Sequence, residues 1–205
     1  MRAVDQFVGR QDELQNISTA LVGDGSRHTA ILHGLGGIGK TQLAVAYATQ
    51  HKDNYSAILW LNIQDEASIK QSFAVAAKRI LRHQPLAKYL STVDLTGTLD
   101  DIVDAVLAWL SEPQNTRWLA IYDNYDNPRV PSNHDLNAVD IRRFLPDSYQ
   151  GSVIITTRSS EVRQGRRVLV RKLESKQESV DILSNASRRV LSPSSESAAT
   201  RNGHH

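Results

Sequence analysis

The sequence predicts an α/β fold with a five-stranded, mostly parallel central sheet and helices on both of its faces. Short apolar runs that are typical of buried strands alternate along the chain with longer segments of helical spacing. A glycine-rich loop lies between the first apolar run and an alanine-rich helix, an arrangement that α/β proteins use to hold phosphate groups. The chain has 205 residues, of which 40% are hydrophobic, and this is enough for one such domain.

The N-terminal half predicts three helices and two strands. A leader opens the first helix, which runs to about Leu21 and for which Asp12 or a neighbouring residue is a candidate cap. A turn cluster over residues 23–26 follows. The remaining elements are a strand over 29–33, a helix over 41–50, a strand over 55–63 and a helix over 66–81.

The C-terminal half predicts three further strands. We expect a loop over 84–97 with a helical turn near 87–90, and then a helix that starts over 98–101. The later elements are strands over 117–122, 152–157 and 166–170, a helix over 136–144 and a last helix over 175–190. We therefore expect a leader (1–27), a core (28–173), a terminal helix (174–190) and a Ser-rich tail (191–205) that is either disordered or, with its final Gly-His-His, a non-native remnant.

The glycine-rich loop has the complete pattern G-x-x-x-x-G-K-[ST], from Gly34 to Thr41. Its glycines permit backbone conformations in which successive N–H groups turn toward phosphate oxygens. Lys40 offers a positive charge to the β- and γ-phosphates, and Thr41 offers a hydroxyl to Mg²⁺. A chance Gly-rich turn is the alternative, but the strand, loop and helix stand in the order that phosphate binding needs. The residues expected to hold the phosphates are Gly36, Gly37, Ile38, Gly39, Lys40, Thr41 and Gln42.

Two more strands end in residues that suit a phosphate site. Asp123 follows a hydrophobic run, and the carboxyl end of such a strand is where ligands bind in open α/β sheets. There it would hold Mg²⁺ together with Thr41, the alternative being a cap after a buried strand. Arg158 follows the strand over 152–157, where its guanidinium suits the γ-phosphate, the alternative being a solvated side chain.

Together these motifs resemble those of the NB-ARC domain, the nucleotide-binding domain of STAND ATPases such as NOD-like receptors, apoptotic protease activators and plant resistance proteins. Residues 7–10, followed by Glu13, resemble the hydrophobic-hydrophobic-Gly-Arg element of that family. Residues 34–41 resemble its Walker A motif, 119–123 its Walker B motif and 156–158 its sensor-1 motif. The resemblance extends over about residues 6–190, and the sequence of residues 123–128 is similar to that of fungal members.

The resemblance implies a P-loop NTPase core with three α/β/α layers that binds ATP or ADP with Mg²⁺. It implies that Val8, Gly9 and Arg10 lie at the adenine, that Lys40 and Asp123 have catalytic roles, and that Arg158 senses the γ-phosphate. It also implies a cytoplasmic, NOD-like-receptor-type switch in innate-immune signalling, and self-association of the full-length protein through this domain.

The sequence departs from the family pattern in three respects. Many members carry a second acidic residue after the Walker B Asp, whereas this chain has Asn124, a much weaker base, with Asp126 as a candidate substitute. Second, no Gly-x-Pro motif and no winged-helix segment are recognised in the sequence. Third, neither an effector domain nor repeats are recognised in it. The sequence therefore predicts a nucleotide-binding core, truncated after the sheet, with slow or negligible ATP hydrolysis.

Two other functions share this kind of core. A small-molecule kinase would need an acceptor pocket and a lid with its own arginines, for which Arg142 and Arg143 are candidates, but it leaves residues 7–10 unexplained. A nucleic-acid-associated ATPase is disfavoured by a formal net charge of only +2. The chain has no cysteine and no long apolar run, so neither disulfides nor membrane insertion is predicted.

Overall fold

The central sheet has five strands, and every pair of neighbouring strands is parallel. They are β1 (His28–His33), β2 (Ala57–Asn62), β3 (Trp118–Asp123), β4 (Ser152–Thr157) and β5 (Arg166–Leu169), in the spatial order β2-β3-β4-β1-β5. These elements come from a computed structural model that describes residues 10–22 and 27–172. The leader before Arg10, the predicted helix over 175–190 and the tail lie outside the described residues. The predicted fold class is confirmed, with a sheet that is parallel throughout its described strands.

In the described part of the chain, four α-helices cover the two faces of the sheet. They are α1 (Gln11–Leu21), α2 (Lys40–Gln50), α3 (Glu66–His83) and α4 (Leu99–Leu110). Helices α1 and α2 share one apolar cluster with alternate sheet residues such as Ala30 and Leu32, and α3 and α4 share the other with residues such as Ile31. The result is three layers, α/β/α. None of the helices in the described part of the chain is long and apolar enough to cross a membrane.

Local side-chain caps determine where two of the helices begin. Asp65 accepts a hydrogen bond from the Ser68 backbone N–H at 2.7 Å at the start of α3, and Thr98 accepts one from the Asp101 N–H at 3.2 Å at the start of α4. Helix α1 lacks a side-chain cap and has Arg10 at the capping position, so the expected cap by Asp12 or a neighbouring residue was wrong. Asp12 instead lies in the first turn, where a negative charge suits the helix dipole.

The predicted helix over residues 136–144 was wrong except at its end, where a 3₁₀ helix covers Ile141–Phe144. Polar side chains upstream hold turns instead, since Asp135 accepts a hydrogen bond from the Asn137 N–H at 2.8 Å. Val139 donates its N–H to Asn127 and accepts one from Arg129, so its backbone groups are not available to a helix. Near 87–90, where a helical turn is expected, the Ser91 backbone N–H donates to the Ala87 carbonyl oxygen at 2.9 Å and closes one turn, but Tyr89 has a left-handed φ of 67°, so no helix forms there.

The carboxyl ends of the strands lie together at one edge of the sheet. In the strand register, Asn62 lies opposite Asp123 and His33 lies opposite Thr157. Strands β3 and β4 are buried along their whole length, so the residues that end them are fixed by the core on both faces. The connection from β1 to α2 lies at the same edge, and it contains the phosphate-loop motif.

Candidate functional site

The connection between β1 and α2 contains the glycines of the phosphate-loop motif. Gly39 has φ of 92° and immediately precedes α2, a conformation that favours glycine. A Cβ on Gly34 would lie 2.5 Å from Ile38 Cδ1 and 2.6 Å from the Val170 carbonyl oxygen, so a side chain there would displace the loop. These glycines allow the chain to turn tightly and to begin α2 at Lys40.

Lys40 is folded back over the loop that precedes it. Its Nζ donates hydrogen bonds to the carbonyl oxygens of Gly34 at 2.9 Å and Leu35 at 2.7 Å. Burial holds the pKa of Lys40 below its usual range, and Arg158 acts in the same direction, whereas Asp126 and Asp123 act to raise it. Lys40 is thus a buried cation at the edge where the strands end.

Asp123 is linked to the two elements on either side of the site. Its Oδ1 accepts hydrogen bonds from Thr41 Oγ1 at 2.9 Å and from Thr156 Oγ1 at 2.5 Å. Thr156 Oγ1 in turn accepts the Asn124 backbone N–H at 3.0 Å. The carboxylate is therefore oriented by α2 on one side and β4 on the other.

The Thr41 and Asp123 oxygens are suitable ligands for Mg²⁺. A hydroxyl and a carboxylate lie within 2.9 Å of each other at the same edge of the sheet, and Mg²⁺ binds such oxygens while phosphates and water supply the rest of its shell. In the described part of the chain, no cluster of three or more His, Cys, Asp or Glu residues offers a metal site composed of protein ligands alone. The residues present fit a shared metal of this kind.

Arg158 lies at the same edge and is paired with Asp126. The Asp126 carboxylate accepts one hydrogen bond from the Arg158 backbone N–H and another from Arg158 Nε, each at 2.6 Å. The Arg158 side chain is 62% exposed and that of Asp126 is 24% exposed. Asp126, the candidate substitute for a catalytic acid, is therefore bound to the arginine expected to sense phosphate.

Asn124 follows Asp123 in a left-handed conformation with φ of 68°. Its side-chain Nδ2 donates to Asn62 Oδ1 at 3.3 Å, across to the end of β2. The residue therefore contributes an amide, and no carboxylate, at the position directly after Asp123.

These residues surround a single pocket of about 420 Å³. Its described wall contains Gly36, Gly37, Gly39, Lys40, Thr41, Asn124, Asp126, Thr156 and Arg158. Two cations and one carboxylate stand in this wall, with Asp123 buried directly behind Thr41 and Thr156. Such a wall suits an anion that binds through several oxygens.

Arg10 does not lie in that wall. It is buried, and its Nη2 donates to the Ile38 carbonyl oxygen at 2.6 Å, while Nη1 lies 3.8 Å from Glu13 Oε1. Its side chain therefore supports the backbone of the glycine-rich loop. Gln42 is exposed on the first turn of α2, outside the pocket wall, and Val8 and Gly9 lie outside the described residues.

Two residues have roles at the site that the sequence did not predict. Thr156 connects Asp123 to β4, and Asp126 holds Arg158. Thr156 belongs to the motif that resembles sensor 1, so its position two residues before Arg158 was the available signal. Asp126 had no local signal for this role, because its partner lies 32 residues further along the chain.

The comparisons with known proteins agree with this architecture. The model of the NB-ARC domain family matches residues 10–190. A "nucleotide-binding leucine-rich repeat (NLR)-like protein" of the fungus Hyaloscypha variabilis is 24% identical over 165 residues, which is 75% of this chain and 16% of the relative. The chain thus spans about one sixth of the length of that relative.

A solved structure with a TM-score above 0.5 shows the same fold at low sequence identity. Cdc6p from Pyrobaculum aerophilum is 14% identical, with a TM-score of 0.57 over 90% of this chain and 51% of that protein. PCH-2 from Caenorhabditis elegans is also 14% identical, with a TM-score of 0.43 over 87% of this chain and 44% of that protein. Since the family model covers most of the chain, the chain belongs to the NB-ARC domain family.

Proposed function

We propose that this chain binds ATP and ADP with Mg²⁺ and acts as the nucleotide-dependent switch domain of a NOD-like-receptor-type signalling protein. One observation carries the proposal: Lys40, Thr41, Thr156 and Arg158 stand in the wall of one pocket, with Asp123 bound to both threonines. Each of these groups suits a different part of a nucleoside triphosphate and its metal ion.

The residues have distinct roles in this proposal. Lys40 supplies positive charge to the phosphates, and the glycine-rich backbone offers them N–H groups. Thr41 and Asp123 hold Mg²⁺, which when bound neutralises phosphate charge. Arg158 stands at the side of the pocket and interacts with a terminal phosphate. Since only the triphosphate has a γ-phosphate, this contact stabilises the ATP and ADP states differently and biases two conformations of the full-length protein.

Hydrolysis is expected to be slow because the described residues of the pocket offer no well-placed base. Asn124 stands where a second acidic residue would follow Asp123, and an amide does not accept a proton from water at neutral pH. Among the described residues of the pocket wall, the one carboxylate is Asp126, and both of its oxygens accept hydrogen bonds from Arg158. Neither residue is in a state that suits general-base catalysis.

The setting of the domain is also part of the proposal. The fungal relative carries the description of a nucleotide-binding, leucine-rich-repeat protein, which supports a signalling role for the longer protein. We extend this to self-association of the ATP state through this domain and to a cytoplasmic location in innate-immune signalling. Adenine is the expected base, received near residues 8–10.

Calorimetric titration of the protein with Mg-ADP and with a non-hydrolysable ATP analogue tests the proposal. We expect saturable binding of both nucleotides and loss of binding in Lys40→Ala, since that change removes the buried cation. Lys78→Ala, at an exposed position of α3, is the matched control and retains full affinity. Absence of binding by the unmodified protein, or equal affinity in Lys40→Ala, rejects the proposal.

A further inference from the structure

We propose that Asp126 is a positioning residue for Arg158, and that this pair gives the pocket its preference for nucleoside triphosphate over diphosphate. The inference rests on the proposed nucleotide-binding function and concerns the discrimination between two nucleotides at that site. It assigns Asp126 a role other than that of a substitute catalytic acid.

Asp126 is itself held firmly by the core. The preceding residue, Tyr125, is buried, donates its backbone N–H to the Thr156 carbonyl oxygen at 2.9 Å and donates its hydroxyl to Val139 at 3.0 Å. Thr157 Oγ1 donates to the Tyr125 carbonyl oxygen at 2.5 Å. The segment that follows β3 is therefore fastened to the end of β4, and Asp126 is placed directly beside Arg158.

The contact between Asp126 and Arg158 has two parts. One carboxylate oxygen accepts the Arg158 backbone N–H, and the other accepts Nε–H, each at 2.6 Å. The first fixes the backbone of Arg158, and the second fixes the rotation of its guanidinium plane. Charge-assisted hydrogen bonds of this kind are both strong and directional.

This contact leaves most of the guanidinium available. Arg has five N–H donors, of which Asp126 takes the one on Nε. The four on Nη1 and Nη2 make no hydrogen bond to any residue in the described part of the chain. A Cβ built on Gly36 would lie 3.5 Å from Arg158 Cδ and 3.8 Å from Nη1, so the guanidinium lies against the glycine-rich loop. Asp126 thus orients a fork of free donors next to the proposed phosphate site.

An exposed arginine without such a partner samples many rotamers, and binding has to restrict them. Asp126 restricts the rotamers of Arg158 before the nucleotide binds. Less conformational entropy is then lost on binding, so the contact with a terminal phosphate contributes more to the affinity. The diphosphate lacks the γ-phosphate, so its affinity increases less when the Arg158 guanidinium is oriented in advance. Loss of Asp126 should therefore reduce the affinity ratio between the two nucleotides more than it reduces the affinity for ADP.

The opposite possibility is that Asp126 competes with phosphate for Arg158. In that case removal of the carboxylate would free the guanidinium and would increase the affinity for the triphosphate. The two possibilities predict opposite signs for the same measurement, and the geometry favours positioning because the Nη groups are left free.

The test is a calorimetric titration of the protein with Mg-ADP and a non-hydrolysable Mg-ATP analogue, expressed as the ratio of the two dissociation constants. We expect Asp126→Ala to reduce the preference for the triphosphate about tenfold, the scale of one lost charge-assisted hydrogen bond. Asp126→Asn keeps one acceptor oxygen and should retain part of the preference. Arg158→Ala should lose the preference entirely, and Asp126→Ala should have no further effect in that background.

Asp140→Asn is the matched control, since Asp140 also accepts hydrogen bonds from the backbone N–H and Nε of a neighbouring arginine, Arg142, but outside the pocket wall. Its nucleotide preference should equal that of the unmodified protein. Thermal unfolding of each variant shows whether it is folded, and Asp126→Asn provides the measurement where Asp126→Ala does not fold.

Several outcomes overturn the inference. An unchanged or increased triphosphate preference in Asp126→Ala, with the preference lost in Arg158→Ala, rejects positioning and leaves the proposed function intact. An equal effect of Asp126→Ala with and without Arg158 also rejects it, since the carboxylate then acts independently. Failure of the unmodified protein to bind either nucleotide rejects the proposed function and the inference with it.

Discussion

Thr156 Oγ1 donates a hydrogen bond to Asp123 Oδ1 at 2.5 Å and so joins the end of β4 to the end of β3. The same hydroxyl accepts the Asn124 backbone N–H at 3.0 Å. The Thr156 hydroxyl therefore accepts a hydrogen bond from the backbone N–H that follows Asp123 and also orients the carboxylate of Asp123, the proposed metal ligand. Because Arg158 lies two residues beyond Thr156, the end of β4 contributes both to the proposed metal site and to the position of the proposed phosphate sensor.

Thr156→Val is expected to weaken Mg²⁺-dependent nucleotide binding. The substitution keeps the shape of the side chain but removes the donor to Asp123 and leaves the Asn124 N–H without its acceptor, at a cost of about 1–3 kcal/mol in stability. Calorimetric titration with ADP, with and without Mg²⁺, measures the first effect, and denaturant unfolding measures the second. We expect the gain in affinity from Mg²⁺ to shrink.

Thr157→Val is the control for that substitution. Thr157 is equally buried, but its hydroxyl donates to the Tyr125 carbonyl oxygen rather than to Asp123. This variant should lose comparable stability and keep the full dependence on Mg²⁺. If Mg²⁺ changes the nucleotide affinity of both valine variants to the same extent, Thr156 contributes to stability and has no specific role at the metal site.

Asn124→Asp is expected to increase ATP hydrolysis. The change places a carboxylate directly after Asp123, and the left-handed φ of 68° is tolerated by Asp as it is by Asn. A positioned general base contributes on the order of 10²–10⁴-fold, so even a poorly placed one should give a measurable increase in steady-state phosphate release. Asn54→Asp adds the same charge at an exposed position and should not change the rate. An unchanged rate in Asn124→Asp would mean that residue 124 does not limit hydrolysis.

The sequence was most informative where structure depends on neighbouring residues. Apolar runs located all five strands, and the spacing of the glycines located the loop that begins α2 at Lys40. Local patterns failed over residues 136–144, since hydrogen bonds that Asp135 and Asn127 accept replace those of a helix. The order of the strands was not predicted, because it depends on pairing between distant segments.

The same reason explains what was missed at the site. Asp126 is predicted by its position alone to be a possible acid, whereas its role depends on a partner at the end of another strand. Arg10 carries a family motif, but only the fold shows that its guanidinium contacts the Ile38 carbonyl oxygen. Motifs therefore identified the strands that carry the chemistry, and tertiary contacts determine which side chains act together.

Arg10→Met is expected to weaken nucleotide binding by loosening the glycine-rich loop. The change removes the 2.6 Å hydrogen bond to Ile38 and leaves that carbonyl oxygen without its donor. We expect about a tenfold loss of affinity for ADP and an equal loss for inorganic tripolyphosphate, which has no base. A contact of Arg10 with adenine alone predicts the opposite pattern, namely reduced ADP affinity with unchanged tripolyphosphate affinity. Arg79→Met, at an exposed position of α3, is the control.

Gly151→Ala is expected to be more destabilising than Gly37→Ala, although both glycines have nearly the same positive φ, 79° and 76°. A Cβ at residue 151 would lie 2.3 Å from the ring of the fully buried Trp118, whereas a Cβ at residue 37 would meet nothing within 4 Å. The positive φ lowers the free energy of unfolding of an alanine variant by about 1–2 kcal/mol at both positions, and overpacking against Trp118 lowers it by about 1–3 kcal/mol more at residue 151. Denaturant unfolding without nucleotide measures the difference, and equal losses would refute the steric argument.

Glu66→Gln is expected to lower stability at neutral pH and to have no effect in strong acid. Glu66 lies 2.9 Å from Lys70 Nζ and 3.1 Å from Arg143 Nη1. The hydrogen bond from Lys70 holds the pKa of Glu66 below its usual 4.5, with Arg143 acting in the same direction against the effect of burial. A carboxylate with a lowered pKa in the folded state stabilises the fold above pH 4.5, and this stabilisation disappears as the pH falls through the pKa of the folded state.

Since the ion pairs of Glu66 are partly exposed, the expected loss in the free energy of unfolding at pH 7 is about 0.2–1 kcal/mol. Urea unfolding at several pH values measures it, with Glu161→Gln, whose carboxylate lies 3.5 Å from the Ser160 hydroxyl, as the control. A difference between Glu66→Gln and the unmodified protein that persists at pH values far below 4.5 would show that the ion pairs are not its cause.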